Sequence, residues 1–274
     1  MAKAALNLEA YKSKRPPLGK RKFTSKKIEE VVRNTRKQKD PEIACMFGNC
    51  YPNTLDTTVE FLVKDGIPGT FVITGDIHAM WLRDSTAQVW PYLPYIENDK
   101  ELYNLILGVV HRQGKCITID PYANAFNKEA TGSEWDSDLI NIKPGLHERN
   151  WEIDSLCYPV RLPYYFWKQT GDTSFFTATY DKTLQLILQT FQQQQRKSGK
   201  GPYHFGRKTE TANDTLAGAG IGGPHEGTGF MHEAFHKDDP SKYTRGWFSW
   251  ANTLFVELIL KITRDHPSVL DKIL

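Results

Sequence analysis

The run Ile73-Thr-Gly-Asp-Ile-His-Ala-Met-Trp-Leu-Arg-Asp-Ser85 gathers two carboxylates (Asp76, Asp84), a guanidinium (Arg83), an imidazole (His78) and an indole (Trp81). Carboxylates and guanidinium groups take polyol hydroxyls in paired hydrogen bonds, and an indole face stacks on the apolar side of a pyranose. A structural arrangement suits the same residues: Arg83 paired with Asp76 or Asp84 to hold a loop. The preceding Thr70-Phe-Val-Ile73 reads as a short buried strand that delivers the polar cluster to a fixed place.

Around this run, apolar residues recur at helical spacing. Leu102, Leu105, Ile106 and Val109 follow i, i+3, i+4, i+7, as do Ile153, Leu156, Cys157 and Val160, and Leu184, Ile187, Leu188 and Phe191. Leu254, Phe255, Leu258, Ile259 and Ile262 mark a further helix. The pattern also predicts helices near 26–38, 53–63 and 84–93, with Asp172 or Thr173 as an N-cap after Gly171. Strand signals are few, at 70–73 and weakly at 116–119. Long polar segments bearing Gly and Pro, about 120–150 and 198–244, separate the helices, and loops of that length are usually functional. Helices alternating with such loops predict an all-α toroid whose loops form a cleft at one rim.

Composition narrows the classes. A hydrophobic share of 39% is enough for a sizeable core in 274 residues, and one domain is the simpler organisation. No apolar run is long enough to span a bilayer, so no membrane partner is expected. The start, Met1-Ala-Lys-Ala-Ala-Leu-Asn7, lacks the apolar stretch of a secretion signal, and compartment and oligomeric state stay open. The net charge of +3 arises mainly in the arm from Lys12 to Lys27. Pro16-Pro17 interrupts that arm and an amphipathic helix follows it, so it reads as a solvated lead-in rather than a nucleic-acid contact. Cys45, Cys50, Cys116 and Cys157 lack CxxC spacing, which argues against a zinc ribbon, and a chain of this size needs no disulfide scaffold.

His232-Glu-Ala-Phe-His236 spells HExxH, which on a helix puts two zinc-binding histidines on one face with Glu233 as general base. Gly222, Gly223, Gly227, Gly229 and Pro240 crowd the site and leave room for about two turns at 3.6 residues each. Glu257 is the available third ligand. The zinc-peptidase reading therefore ranks below a sugar site. Glycosidic hydrolysis needs a carboxylic acid and an opposed carboxylate. Asp238-Asp239 lies before the Trp247/Trp250 segment, where like-charge neighbours raise one pKa, although Asp238-Asp239-Pro240-Ser241 is equally a turn. Glu152-Ile-Asp154 opens a helix, with Asp154 a ligand or a cap. Asp120 to Asn127 and Asn213-Asp-Thr215 either face a sugar or close turns.

These stretches carry a resemblance. Thr74 to Ser85, Cys116 to Asn127, Trp151 to Arg161 and Asn53 to Thr58 closely resemble glycoside hydrolase family 125, the exo-α-1,6-mannosidases. The resemblance runs from about residue 40 to the last residue. It implies an (α/α)6 barrel, incomplete in this chain, with 1–40 a basic lead-in plus first helix and 41–274 the N-terminal two-thirds of the catalytic domain. It implies metal-independent, inverting removal of terminal α-1,6-linked mannose from a mannose-containing oligosaccharide, with no cofactor. Aligned on Gly229 and Phe235, the family's catalytic acid falls on Asp239, with Asp238 the alternative; His236-Lys-Asp238 and Pro240 depart from the family pattern. Asp76, His78, Trp81, Arg83, Asp84, Asp154, Asn213 and Asp214 become candidate sugar ligands. The family's glutamate base has no counterpart here, so the chain reads as a truncated member, inactive alone. A carbohydrate-binding remnant without catalysis is the remaining alternative.

Overall fold

A computed structural model of the chain describes residues 12–38, 40–195, 197, 202–205, 220–221, 229–236, 239–243 and 245–265. The α-helices among them are α1 (Lys26–Gln38), α2 (Pro41–Cys50), α3 (Leu82–Val89), α4 (Lys100–Ile119), α5 (Ile153–Thr170), α6 (Ala178–Gln194) and α7 (Ser249–Asp265). Among the described residues no helix is long and apolar enough to cross a membrane. The chain divides into two compact units, Val59–Thr211 and Met1–Thr58 with Ala212–Leu274.

The unit Val59–Thr211 opens with a hairpin, β1 (Val59–Lys64) against β2 (Ile67–Val72). Its two-residue turn, Asp65-Gly66, has φ of 53° and 76°. Positive φ at both centres is the geometry whose twist matches paired strands, and Asp-Gly supplies it at low cost. The hairpin lies on α4, where the Thr70 hydroxyl donates to the Leu105 carbonyl at 2.6 Å. Gly108 permits that approach, since a Cβ there would meet the Thr70 backbone nitrogen at 2.9 Å. The Asp99 side chain caps α4 by accepting from Leu102 N, and Leu102, Leu105, Ile106 and Val109 are all buried. The helix continues through Ile119, so the weak strand signal at 116–119 is overridden by the buried helical positions Cys116 and Ile117.

Three short strands form a second sheet: β3 (Met80–Trp81), β4 (Ala125–Phe126) and β5 (Leu146–Glu148), in that order and antiparallel. Beneath it lies a core of Leu82, Cys116, Ile117, Ala123, Phe126, Leu146, Leu156 and Ile187. The loop into β5 is held by Asn127, whose amide donates to the carbonyls of Thr131, Gly132 and Leu146. Asp120 likewise closes a turn, accepting from Tyr122 N at 2.9 Å and from Arg149 Nε at 2.9 Å. Both residues are structural here. α6 starts later than the sequence predicts: Thr177 caps it through Tyr180 N, while Asp172 closes the preceding turn with Ser174.

In the other unit, Ser25 caps α1 by accepting from Ile28 N, and Asp40 caps α2 by accepting from Glu42 N and Ile43 N, with Pro41 at the first helical position. The predicted helix at 53–63 is instead a single π-helical turn, Thr54–Thr58, followed by β1. The β-branched run Thr57-Thr58-Val59 and the Asp-Gly turn beyond it favour the hairpin. Three further strands, β6 (Gly220–Ile221), β7 (Ala234–His236) and β8 (Asp239–Tyr243), pair antiparallel. Asn252 of α7 accepts from Met231 N and donates to Asn53.

The basic arm is solvated in part: Lys12, Lys14, Lys20, Lys22 and Lys26 are exposed, whereas its two arginines are tied into the fold. Arg15 donates to both carboxylate oxygens of Asp56, at 2.7 and 3.0 Å, and also grips Glu29. Its side chain is 6% exposed and that of Asp56 is 2%. Arg21 faces the same two carboxylates. Burial alone would raise the Glu29 carboxyl, but the Arg15 hydrogen bond and the Arg15 and Arg21 charges carry it below its ordinary value. Removing one partner of a buried pair costs about 3–5 kcal/mol, because the other charge is left unpaired. Arg15→Met is therefore expected to cost about 3 kcal/mol in urea denaturation, the low end because Arg21 remains. A loss within error of zero would show that the arm is not part of the fold.

Candidate functional site

The site grows from the register of the small sheet. Trp81 pairs with Ala125, and Ala125 pairs with Glu148, so β3 and β5 flank β4 and bring Trp81, His147 and Glu148 to neighbouring positions. Leu82 N donates to the Asn124 carbonyl, extending the β3–β4 contact into the first turn of α3. The Asn124 side chain then fixes both sides of β5: its amide donates to Glu148 Oε2 at 2.7 Å and its oxygen accepts from Asn150 N at 3.1 Å. Trp81 is half-buried and meets the His147 ring edge-on, centroids 5.2 Å apart.

One residue past this sheet, α3 projects Arg83 toward the start of α5. Its Nη1 donates to Glu152 Oε2 at 2.8 Å and to Asp154 at 3.3 and 3.4 Å, and its Nε lies 3.5 Å from Asp84 Oδ2. Ser155 Oγ also donates to Glu152 Oε2, at 2.6 Å. Asp84 lies in the first turn of α3 and Asp154 in the first turn of α5. Helix N-termini carry partial positive charge, so both carboxylates sit where ionised acids are favoured. Asp154 therefore serves Arg83. The residue preceding α5, Glu152, makes no side-chain cap bond and faces the same guanidinium. Burial would lower the Arg83 pKa, but Asp84, Glu152 and Asp154 together hold it above the ordinary value.

α4 anchors α3 from behind. The buried Gln113 amide donates to the Leu82 carbonyl, Ser85 Oγ and Thr86 Oγ1 at 2.8–3.1 Å. Ser85 and Thr86 follow Arg83 and Asp84 directly, so this network sets the rotation of α3 and the direction of both charged side chains. The site thus gathers four carboxylates (Asp84, Glu148, Glu152 and Asp154) and one guanidinium, with the Trp81 indole and the His147 imidazole at the small sheet.

Of the residues singled out from sequence, Arg83, Asp84 and Asp154 are brought together, while Trp81 meets His147 at the small sheet. Asp76 and His78 are exposed on the preceding turn, with His78 Nε2 3.9 Å from Glu60 Oε1 and its ring 6.2 Å from that of Phe71. Asp239 is the first residue of β8, and Asp238, Asn213 and Asp214 lie outside the described residues. Sequence reasoning met Glu152 and Asn124 within the Glu152–Asp154 and Asp120–Asn127 stretches without giving either a role of its own, and did not select Glu148 or His147. The signal for Glu152 was its place at a helix start two residues before Asp154; nothing local marked Glu148.

The HExxH reading fails on geometry. Ala234–His236 is strand β7 rather than helix, so a two-histidine face at helical spacing does not form. His232 stacks on Tyr243, centroids 3.8 Å apart, and bonds the Arg245 carbonyl, while Glu233 accepts from Arg245 Nε at 2.7 Å. These residues hold a hairpin.

A family model described as metal-independent α-mannosidase (GH125) matches residues 40–230 and 223–260. The chain belongs to glycoside hydrolase family 125. The Meiotically up-regulated gene 157 protein of Schizosaccharomyces pombe is 35% identical over 261 residues, covering 88% of this chain and 51% of that protein. A metal-independent α-mannosidase of Streptococcus pneumoniae, solved in a non-productive complex with α-1,6-mannobiose, is 37% identical with a TM-score of 0.62. That match covers 90% of this chain and 60% of the other. The helices follow the α/α toroid of family 125, as the sequence predicts. The chain spans about half the length of the curated relative it matches.

His147 gives the site a pH signature. Burial holds its imidazole below the ordinary value, against the upward pull of Glu134, Glu148 and Asp136. The unfolded chain then binds protons before the folded one, so stability falls as pH drops through the unfolded imidazole value of about 6.5. Urea midpoints measured between pH 7 and 5 are expected to decline, and His147→Gln should flatten that part of the decline. The Glu29 contribution is lost lower, below the ordinary carboxylate value, so the two windows separate. An unchanged slope in the variant would contradict the assignment.

Proposed function

We propose that this chain carries the mannose-holding portion of an exo-acting α-1,6-mannosidase that works by inversion without metal. The observation that carries the reading is the Arg83 cluster, in which one guanidinium is shared by Asp84, Glu152 and Asp154, two residues along the chain from Trp81. Carboxylates outnumber the cation, which disfavours an anionic ligand and leaves acceptor oxygens for hydroxyl donors. Vicinal sugar hydroxyls are such donors, and the indole offers an apolar surface for the ring. Support for mannose comes from family membership and from the relative solved with α-1,6-mannobiose.

In this reading Trp81, Arg83, Asp84 and Asp154 hold the terminal mannose, and Glu152 and Asn124 orient Arg83 and Glu148. Asp239, or Asp238 in its place, protonates the leaving oxygen. A glutamate outside these 274 residues activates water on the opposite face of the sugar, in keeping with the separated carboxylates of an inverting glycosidase. Asp76 and His78, exposed on the turn, are further candidate ligands, as are Asn213 and Asp214 by the resemblance.

Two measurements test it. The 274-residue chain is expected to release little or no mannose from α-1,6-mannobiose, and steady turnover would overturn the assignment of the base to other sequence. In a chain extended to the full family length, Asp239→Asn should lower kcat by about 10²–10⁴-fold, the usual contribution of a general acid. A rate near that of the parent protein would remove Asp239 from the mechanism.

A further inference from the structure

Asp239 stands on a hairpin rather than on a helix, and a hairpin can swing. Strands β7 and β8 are tied to each other: Phe235 pairs with Tyr243 and His236 with Asp239, His232 stacks on Tyr243, and Glu233 accepts from Arg245 Nε at 2.7 Å. None of these contacts fixes the angle at which the hairpin leaves the rest of its unit.

That angle is set at Met231. Its N–H donates to Asn252 Oδ1 at 2.8 Å, and its carbonyl accepts from Phe248 N at 2.8 Å. Asn252 N in turn donates to the Phe248 carbonyl at 3.0 Å, so one turn at the start of α7 grips both backbone groups of a single residue. The Asn252 side chain is buried, and its amide donates to Asn53 Oδ1 at 3.4 Å, where Ser249 Oγ donates as well. Two residues before Met231, Gly229 has φ of 73° and its carbonyl accepts from Asn49 Nδ2 at 3.4 Å. A Cβ at Gly229 would meet that nitrogen at 2.6 Å, so a glycine lets the chain pass this close to α2.

A general acid works only within hydrogen-bond reach of the leaving oxygen, and a misplacement of about 1 Å can cost about 10²-fold in rate. Asp239 pairs with His236 at the end of the hairpin remote from Met231, so a small change of angle at Met231 is enlarged at Asp239. We infer that Asn252 is a positioning residue for the general acid: through the Met231 amide it fixes the angle of the hairpin that bears Asp239. This role rests on the assignment of the acid under the proposed function, and adds to it what aims the acid.

Leaving groups separate aiming from folding. Departure of a sugar from α-1,6-mannobiose needs a proton from the acid, whereas 2,4-dinitrophenolate leaves its α-mannoside as a stable anion with little need of one. The readout is the ratio of kcat/KM on mannobiose to kcat/KM on the dinitrophenyl mannoside, in a chain extended to the full family length. Asn252→Ala is expected to lower that ratio by about tenfold or more, through kcat on mannobiose. Asn252→Asp, which keeps an oxygen opposite the Met231 N–H, should restore most of it. Gly229→Ala disturbs the same root and carries the same expectation if Asn252→Ala is not recovered folded. Asp239→Asn, or Asp238→Asn in its place, should lower the ratio by about 10²–10⁴-fold. If neither aspartate change moves the ratio, the acid lies elsewhere, and the assignment of the acid and the role of Asn252 fall together. If an aspartate change lowers it while Asn252→Ala leaves it unmoved, or slows both substrates equally, the role of Asn252 alone is overturned. In the 274-residue chain itself, the Met231 amide should exchange with solvent about tenfold faster or more in Asn252→Ala, and equal exchange would overturn the tether.

Discussion

A guanidinium enclosed by three carboxylates cannot sit at random in a fold. The carboxylates reach Arg83 from two helix starts, and the buried Asp84 brings a desolvation cost that correct geometry must offset. Asp84 arrives on the same helix, whereas Glu152 and Asp154 arrive from the start of α5, 69 and 71 residues away. Their meeting requires that α3 and α5 present their N-terminal turns to one another. The excess of negative charge then decides what can bind. An anionic ligand is repelled, while a neutral polyol can donate to carboxylate oxygens in charge-assisted bonds of about 1.5–3 kcal/mol each.

The rest of that unit serves this junction. Gln113 on α4 fixes the rotation of α3 through three acceptors, and Gly108 on the same helix admits the hairpin to close contact. The small sheet adds Trp81 and Glu148 at one register level on either side of Ala125, with Phe126 and Leu146 in the core. Polar residues at the site are therefore held by buried neighbours rather than by their own loops, which keeps a binding geometry preorganised.

Much of this was legible in the chain. Leu102, Leu105, Ile106 and Val109 announced α4 by their spacing, although burial there extends beyond that face to Leu107, Gly108 and Val110. In α5 the same rule found the helix but misread its side: Ile153, Cys157 and Val160 are exposed while Leu156 and Phe166 are buried. Periodicity cannot rank two apolar faces. Arg83 and Asp84 were visible as a polar cluster next to an apolar strand, yet their partner Glu152 was not, because contacts across 69 residues leave no local trace. Within the arm only the arginines escaped for the same reason: Arg15, next to Pro16-Pro17, looks solvated until Asp56 and Glu29 close around it, while the neighbouring lysines are exposed as read. The Asp40-Pro41 pair, a cap followed by a proline, was a readable start for α2 that periodicity alone passed over.

The Trp81 indole resonance offers the most direct view of the junction. With the protein labelled with ¹⁵N, a titration with α-1,6-mannobiose should shift the Trp81 Nε1–H signal progressively, and Arg83→Ala should abolish the shift while the other indole signals stay in place. Saturable binding that leaves Trp81 unmoved, or that survives loss of the Arg83 guanidinium unchanged, would contradict the account.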